Sequence, residues 1–372
     1  MDFLQWAFWL GVAVVGIYVL ALLLSLPYVV YVFLAWREKH SAPVKGHGVK
    51  TRFAVLIPAR NEGDAVKPLL ASLRKVSYPR TRLDVYVITE TRTDPVYSYA
   101  LAQGFFALAR NDDTRGVKTK GGALDDAYRQ IQKTGRVYDS YAVFDADNVV
   151  SPGFFTEMDK LRGQGFRIVV GRRDFTNRAH NWISSCSALM LTFTANYCTA
   201  GRKHLAAKGF ITGTGYCIDA SILAEAGNWP WQGMTEDVEL NKFALHRADI
   251  RMGFSRFAPF YDEQPEDLVT MHRQHLRWMF GYFGTTFKGP GKRSRIPSLL
   301  VAWEDSLWGI PYIASLALGG LALLGLVGIF IAALVVDPVQ AMWGLLVLGV
   351  FLVLWIREFD GFGLSLSLCD MA

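Results

Sequence analysis

Long apolar runs at both ends of the chain bracket a polar middle with a different rhythm. From Trp6 to Trp36 there is no charged residue. About 20 apolar residues span a bilayer, so this run predicts one membrane helix within residues 1–37, kinked near Pro27, and it is too short for two spans. Gly309 to Val336 and Val339 to Ile356 predict two further spans, joined by the short loop Asp337-Pro338.

The middle, residues 50–285, predicts a domain. Phe53 to Ile57 is a compact apolar run ended by Pro58, and Val85 to Ile88 is another. With Val66 to Leu73 helical between them, the pair predicts a βαβ unit. Tyr141 to Phe144 and Ile168 to Val170 supply a third and a fourth strand. Strands alternating with helices predict an α/β fold with a mostly parallel sheet, whose ligands bind at the carboxyl ends of the strands. Glu236 to Leu245 and Leu268 to Tyr282 predict helices. Asn181 to Ala207 carries Trp182, Leu189, Met190, Phe193 and Tyr197 at mixed helical spacing, which suits an interfacial helix, a helix along an acceptor path or a core helix.

The net charge of +6 in 372 residues changes this picture through its placement. Arg37, Lys39, Lys45, Lys50 and Arg52 follow the first run, and Lys288, Lys292, Arg293 and Arg295 precede the second. The positive-inside rule then places the polar block in the cytosol, with the N-terminus outside and the C-terminus inside. Such clusters favour membrane lipids with anionic headgroups as partners, and no basic stripe with interleaved aromatics suggests nucleic acid. A cleaved signal peptide fits poorly, because the run exceeds a signal core and Asp2 stands where a basic start is usual. Cys186, Cys198, Cys217 and Cys369 lack CxxC spacing, and the first three are expected to be reduced, buried thiols.

Candidate chemistry sits at the predicted element ends. Asp145 and Asp147 lie two apart at the end of the third strand, where one turn can aim both at a Mg²⁺ or Mn²⁺, although such residues also suit a solvated turn. Asp237 follows Glu236 at a helix start, where a carboxylate is equally a good cap. Gln274, Arg277 and Trp278 at i, i+3 and i+4 share one helix face, which can close on a ligand or anchor an interfacial helix. Lys120, with Lys118 as an alternative, precedes a helix and can reach phosphate, the glycines behind it permitting close backbone approach. Gly213-Thr214-Gly215 lacks the third glycine and the strand-to-helix context of a dinucleotide fingerprint.

In this order the motifs Asp145-Ala146-Asp147, Thr235-Glu236-Asp237 and Gln274-His275-Leu276-Arg277-Trp278 resemble the D, DxD, TED, QxxRW signature of membrane-integrated family 2 glycosyltransferases, the group of cellulose, chitin and hyaluronan synthases. The resemblance covers roughly Arg52 to Phe283 and includes Pro58-Ala59-Arg60-Asn61-Glu62, Lys120-Gly121-Gly122-Ala123-Leu124 and Tyr261-Asp262-Glu263-Gln264-Pro265. It implies a GT-A type, Rossmann-like domain with about three transmembrane helices and interfacial helices. It also implies a cytosolic nucleotide-sugar donor, a UDP-hexose or UDP-N-acetylhexosamine, contacted by Glu90, Asp94, Lys120, Asp145, Gln274 and Arg277. A divalent cation would sit at Asp145 and Asp147. Gly213, Thr214, Gly215, Glu236 and Trp278 would line the acceptor site, with Arg202 and Lys203 as weaker candidates. Asp237 would be the general base of a single displacement that inverts the anomeric carbon to a β-linkage. Glu90 departs from the Asp usual at its position.

The implied product is a growing polysaccharide, with transfer of one sugar to a lipid acceptor as the alternative. Three spans are few for a channel, so translocation would need a homo-oligomer, a channel partner or a longer native product. A nucleotidyltransferase would carry a glycine-rich first loop, which Pro58 to Glu62 is not. A non-catalytic scaffold would be expected to lack Asp237 or the Asp pair, and both are kept.

Overall fold

Phe53–Pro58 forms β1, and it is buried almost throughout because its even and odd residues face two separate cores. Phe53, Val55 and Ile57 pack with Leu69 and Leu73 of α2 (Val66–Leu73) and with Phe154 and Phe155 of α5 (Phe154–Gly163). Ala54 and Leu56 pack instead with Leu124 and Ile131 of α4 (Lys120–Lys133), Ile222 of α8 (Ala220–Ala226) and Leu240 of α9 (Glu236–Leu245). A strand covered on both faces reads as a continuous apolar run, which is why it was legible. The computed structural model describes residues 26–40, 50–110 and 118–288, with the single positions 16, 23 and 42.

Among the described residues the eight strands are β1, β2 (Leu83–Thr89), β3 (Phe106–Ala109), β4 (Ser140–Val143), β5 (Val149–Val150), β6 (Ile168–Phe175), β7 (Tyr216–Asp219) and β8 (Met252–Asp262). Their order is β3-β2-β1-β4-β7-β6-β8-β5. The β3-β2-β1-β4 half is parallel, and β6 runs parallel to β8. Only β7, wedged antiparallel between β4 and β6, and the short β5 reverse direction. The sheet is therefore mostly parallel, as expected. The four expected strands fall on β1, β2, β4 and β6, and β4 ends one residue early, before Phe144.

Asn181 to Ala207 is three helical segments in series. These are α6 (Trp182–Leu191), a π-helical stretch (Thr192–Cys198) and α7 (Thr199–Ala206). Asn181 starts the series with a capping box, accepting from the backbone of Ile183 and Ser184 while the Ser184 hydroxyl takes its N–H. Ser184, Ser187, Ala188 and Leu191 face inward, whereas Trp182 and Leu189 are exposed. Cys198 and Cys217 are buried thiols; Cys186 is exposed, because it sits on the outer side of α6, and so corrects the expectation for that residue.

Residues 26–39 are helical (α1), so the bend expected near Pro27 lies at the edge of the described part. The described residues from Tyr31 onward belong to one compact unit. Within it, α1 packs on α7 backbone to backbone: a Cβ on Gly201 would lie 2.4 Å from Tyr31 Cα. Among the described residues no helix is long and apolar enough to cross a membrane. The expected spans at 309–336 and 339–356, and most of 1–37, lie outside the described residues.

Candidate active site

The turn after β4 is held from below by side chains. The Asp145 N–H donates to Thr214 Oγ1 at 2.9 Å and to Asn148 Oδ1 at 3.2 Å, which ties the Asp145-Ala146-Asp147 turn to the Gly213-Thr214-Gly215 segment. Asn148 is fully buried, and its amide donates to Asp147 Oδ1 and Asp262 Oδ1, each at 3.1 Å. Asp262 ends β8 and forms a buried ion pair with Arg173 of β6, whose Nη1 also donates to the Thr212 carbonyl at 2.9 Å. Both glycines of the segment adopt positive φ, +85° at Gly213 and +67° at Gly215, which side-chain-bearing residues rarely do.

This framework crowds negative charge. Burial, then Asp262, Asp145 and Glu62, push Asp147 up to about 7, with Arg173 opposing. Glu62, after the left-handed Asn61 (φ 58°), is itself raised by burial and by Asp145. Hard oxygen donors with excess negative charge fit a divalent cation. Among the described residues no three His, Cys, Asp or Glu side chains converge into a ready-made metal cage.

Lys120 supplies the opposing charge. Thr119 caps α4 by accepting from the Gly122 N–H at 3.2 Å, and Gly121 lets the helix start approach Trp231, whose carbonyl oxygen would be 2.0 Å from any Cβ there. The Lys120 ammonium contacts Asp145, donates to the Gly213 carbonyl at 2.7 Å and stands 3.6 Å from Glu236. Burial pushes Glu236 up to about 7 and raises Asp237, and Lys120 opposes both shifts. Asp237 lies in the first turn of α9 and is half-buried. Its Oδ2 is 3.8 Å from where a Cβ on Gly213 would be.

Lys120, Asp145, Asp147, Gly213, Thr214, Gly215, Glu236 and Asp237 thus come together at one end of the sheet. The remaining candidates flank them. Glu90 directly follows β2, 3.7 Å from Arg110 and 3.9 Å from Arg60, and Asp94 caps α3 (Pro95–Ala102) by accepting from the Val96 N–H at 2.9 Å. On α10 (Leu268–Lys288), Trp278 packs against Phe175, Ala188 and Leu191, Arg277 is exposed, and Gln274 Oε1 is buried without a hydrogen-bond partner among the described residues. Arg202 and Lys203 are engaged elsewhere, Arg202 with the Lys208 carbonyl and Lys203 with Glu38. Sequence reasoning assigned no role to Asn148, Arg173 or Asp262. Arg173 is a charge inside an apolar strand and Asp262 one that ends a strand, whereas Asn148 is a neutral amide in the turn beside the Asp pair.

Residues 51–281 match the family described as glycosyltransferase like family 2. A probable glycosyltransferase of Bacillus subtilis is 23% identical over 236 residues, 62% of this chain and 55% of its own. A beta-monoglucosyldiacylglycerol synthase of Synechocystis is 24% identical over 231 residues, 61% of this chain and 47% of its own. The chain spans about half the length of these relatives. A mannosyltransferase of Pyrobaculum calidifontis, solved with GDP-Man and Mn²⁺, superposes with a TM-score of 0.58 at 17% identity, over 95% of this chain and 97% of that one. At that identity the likeness is one of fold, the GT-A type.

Proposed function

The chain belongs to glycosyltransferase like family 2, and from that premise we propose that it transfers a hexose or N-acetylhexosamine from a nucleotide diphosphate donor to an acceptor hydroxyl, with inversion, at the cytosolic membrane face. One observation carries the reading. A single lysine, Lys120, joins the Asp145 turn to the Glu236-Asp237 helix start, so a diphosphate subsite and a proton acceptor meet around Gly213.

In this reading Asp145 and Asp147 hold a Mg²⁺ or Mn²⁺, which supplies positive charge to the donor diphosphate when bound. Asp237 accepts the proton of the acceptor hydroxyl. The hydroxyl oxygen bonds to the anomeric carbon as the bond to the diphosphate breaks, and Lys120 and Arg277 face the departing negative charge. Trp278 offers its ring to the acceptor, and Glu90 its carboxylate to the nucleobase. The donor is read as a UDP-sugar. The GDP-Man bound to the Pyrobaculum enzyme makes a guanine nucleotide the comparison to run beside it.

The acceptor is read as a membrane lipid. This is favoured by the diacylglycerol product named for the Synechocystis relative and by the basic clusters around the polar block. Extension of a polysaccharide, expected from the synthase resemblance, is the second reading. Full-length protein in lipid vesicles, given Mn²⁺ and a panel of radiolabelled UDP- and GDP-sugars, tests both. One labelled sugar per extractable lipid supports the first reading and a long polymer the second. Absence of transfer from every donor would overturn the proposal.

A further inference from the structure

Gly281 lies three residues beyond Trp278, and a Cβ there would meet Thr235 Cγ2 at 2.5 Å and Oγ1 at 2.8 Å. Both are closer than unbonded heavy atoms approach, so the contact exists only because position 281 carries no side chain. Thr235 cannot simply turn aside, because a β-branched residue fills two of its three staggered positions. It is also the residue directly before Glu236 and Asp237.

Thr235 behaves oddly for its place. It occupies the N-cap of α9, where Thr normally accepts a backbone N–H, yet its side chain makes no cap bond. Its Oγ1 is buried and has no hydrogen-bond partner among the described residues. The side chain lies against α10 instead of closing its own helix. A second contact holds the same junction: Tyr282 is buried, and the Lys242 ammonium of α9 stands over its ring at 5.4 Å.

Helical spacing gives this junction its meaning. Gln274, Trp278 and Gly281 fall at i, i+4 and i+7, one stripe of α10. Trp278 seats the stripe on α6, and Gly281 seats it on Thr235, two residues before the proposed base. We propose that Gly281 is a positioning residue for transfer: the bare backbone at 281 sets the separation between Asp237 and the Gln274–Trp278 face. The proposal rests on the functional reading above. Displacement by a methyl group would move those two ligand-facing groups apart by about 1 Å, a misplacement that costs roughly a hundredfold in rate.

The test is a double-mutant cycle in the full chain, comparing wild type, Gly281→Ala, Thr235→Ala and the pair. Gly281→Ala is expected to lower transfer kcat about 10- to 100-fold, with donor KM changed by no more than about twofold. In the Thr235→Ala background, where the obstructing atoms are gone, the same substitution should change kcat by less than about threefold. Melting temperatures give an independent readout. Alanine is the better helix former, so Gly281→Ala should raise Tm beside Ala at 235 and lower it beside Thr. Equal losses of kcat in both backgrounds, or no loss in either, would overturn the positioning role. If wild-type protein transfers no sugar, the functional reading fails by itself, and equal Tm shifts in both backgrounds would then separately overturn the contact.

Discussion

The Lys120 ammonium stands 3.6 Å from the Glu236 carboxylate while contacting Asp145, so one positive charge restrains acids on two different elements. Burial raises Asp237, and Lys120 holds that rise down. As the proposed base Asp237 would work only when deprotonated, so kcat/KM is expected to fall as pH drops through its raised value. Lys120→Gln removes the restraint, and the acid limb of the kcat/KM profile is expected to move to higher pH. A limb that stays in place, whatever the amplitude, would separate Lys120 from Asp237.

Asp237→Asn keeps size and hydrogen-bonding shape while removing the proton acceptor. Transfer should fall by about 10² to 10⁴. Calorimetry should show donor affinity close to that of wild type. Near-normal turnover would dismiss Asp237 as the base.

Asp147 offers a pH test of metal binding. Its value lies at about 7, and a carboxylate must lose its proton to take a cation. Mn²⁺-dependent nucleotide binding should therefore strengthen as pH rises from about 6 to about 8. Asp147→Ala should weaken nucleotide binding in the presence of Mn²⁺ and remove this pH dependence. Unchanged affinity with metal would place the cation elsewhere.

Away from the site, Glu38 is buried, with Lys203 Nζ and His204 Nε2 each 2.8 Å away. Burial alone would raise its pKa, but His204 and Lys203 together hold it below the ordinary value. A depressed acid contributes stability above its unfolded pKa and loses it as pH falls through the folded value. Glu38→Ala leaves the Lys203 ammonium with the Phe254 carbonyl, and breaking such a buried pair costs about 3–5 kcal/mol. Thermal melts should show this gap near neutral pH and a smaller gap below the ordinary glutamate range. A gap independent of pH would mean packing, not charge, holds the contact.

The sheet's centre could be read from sequence because β1, β2 and β4 are apolar on both faces. β7 has only three apolar residues before Asp219, and β8 carries Ser255, Arg256 and Pro259 within it, so neither has a clean period. Lys120, Asp145, Asp147, Glu236 and Asp237 announced themselves by spacing within motifs. Asp262 and Arg173 come from separate strands and matter as a buried ion pair, and Asn148 matters through buried hydrogen bonds, both of which only the assembled fold creates. Gly281 is harder still, since its content is the absence of an atom facing a residue 46 positions earlier.

The bare contact between Gly201 and Tyr31 bears on where this enzyme can be cut. A version trimmed to begin at β1 would keep every motif, yet it would strip the cover from the α7 backbone and leave Lys203 without its carboxylate. Uncovering the surface that buries Tyr31 and Ala35 invites self-association. The smallest piece able to behave as the catalytic unit therefore starts before the sheet, in the helix whose outer apolar face, Val29, Phe33 and Trp36, is exposed.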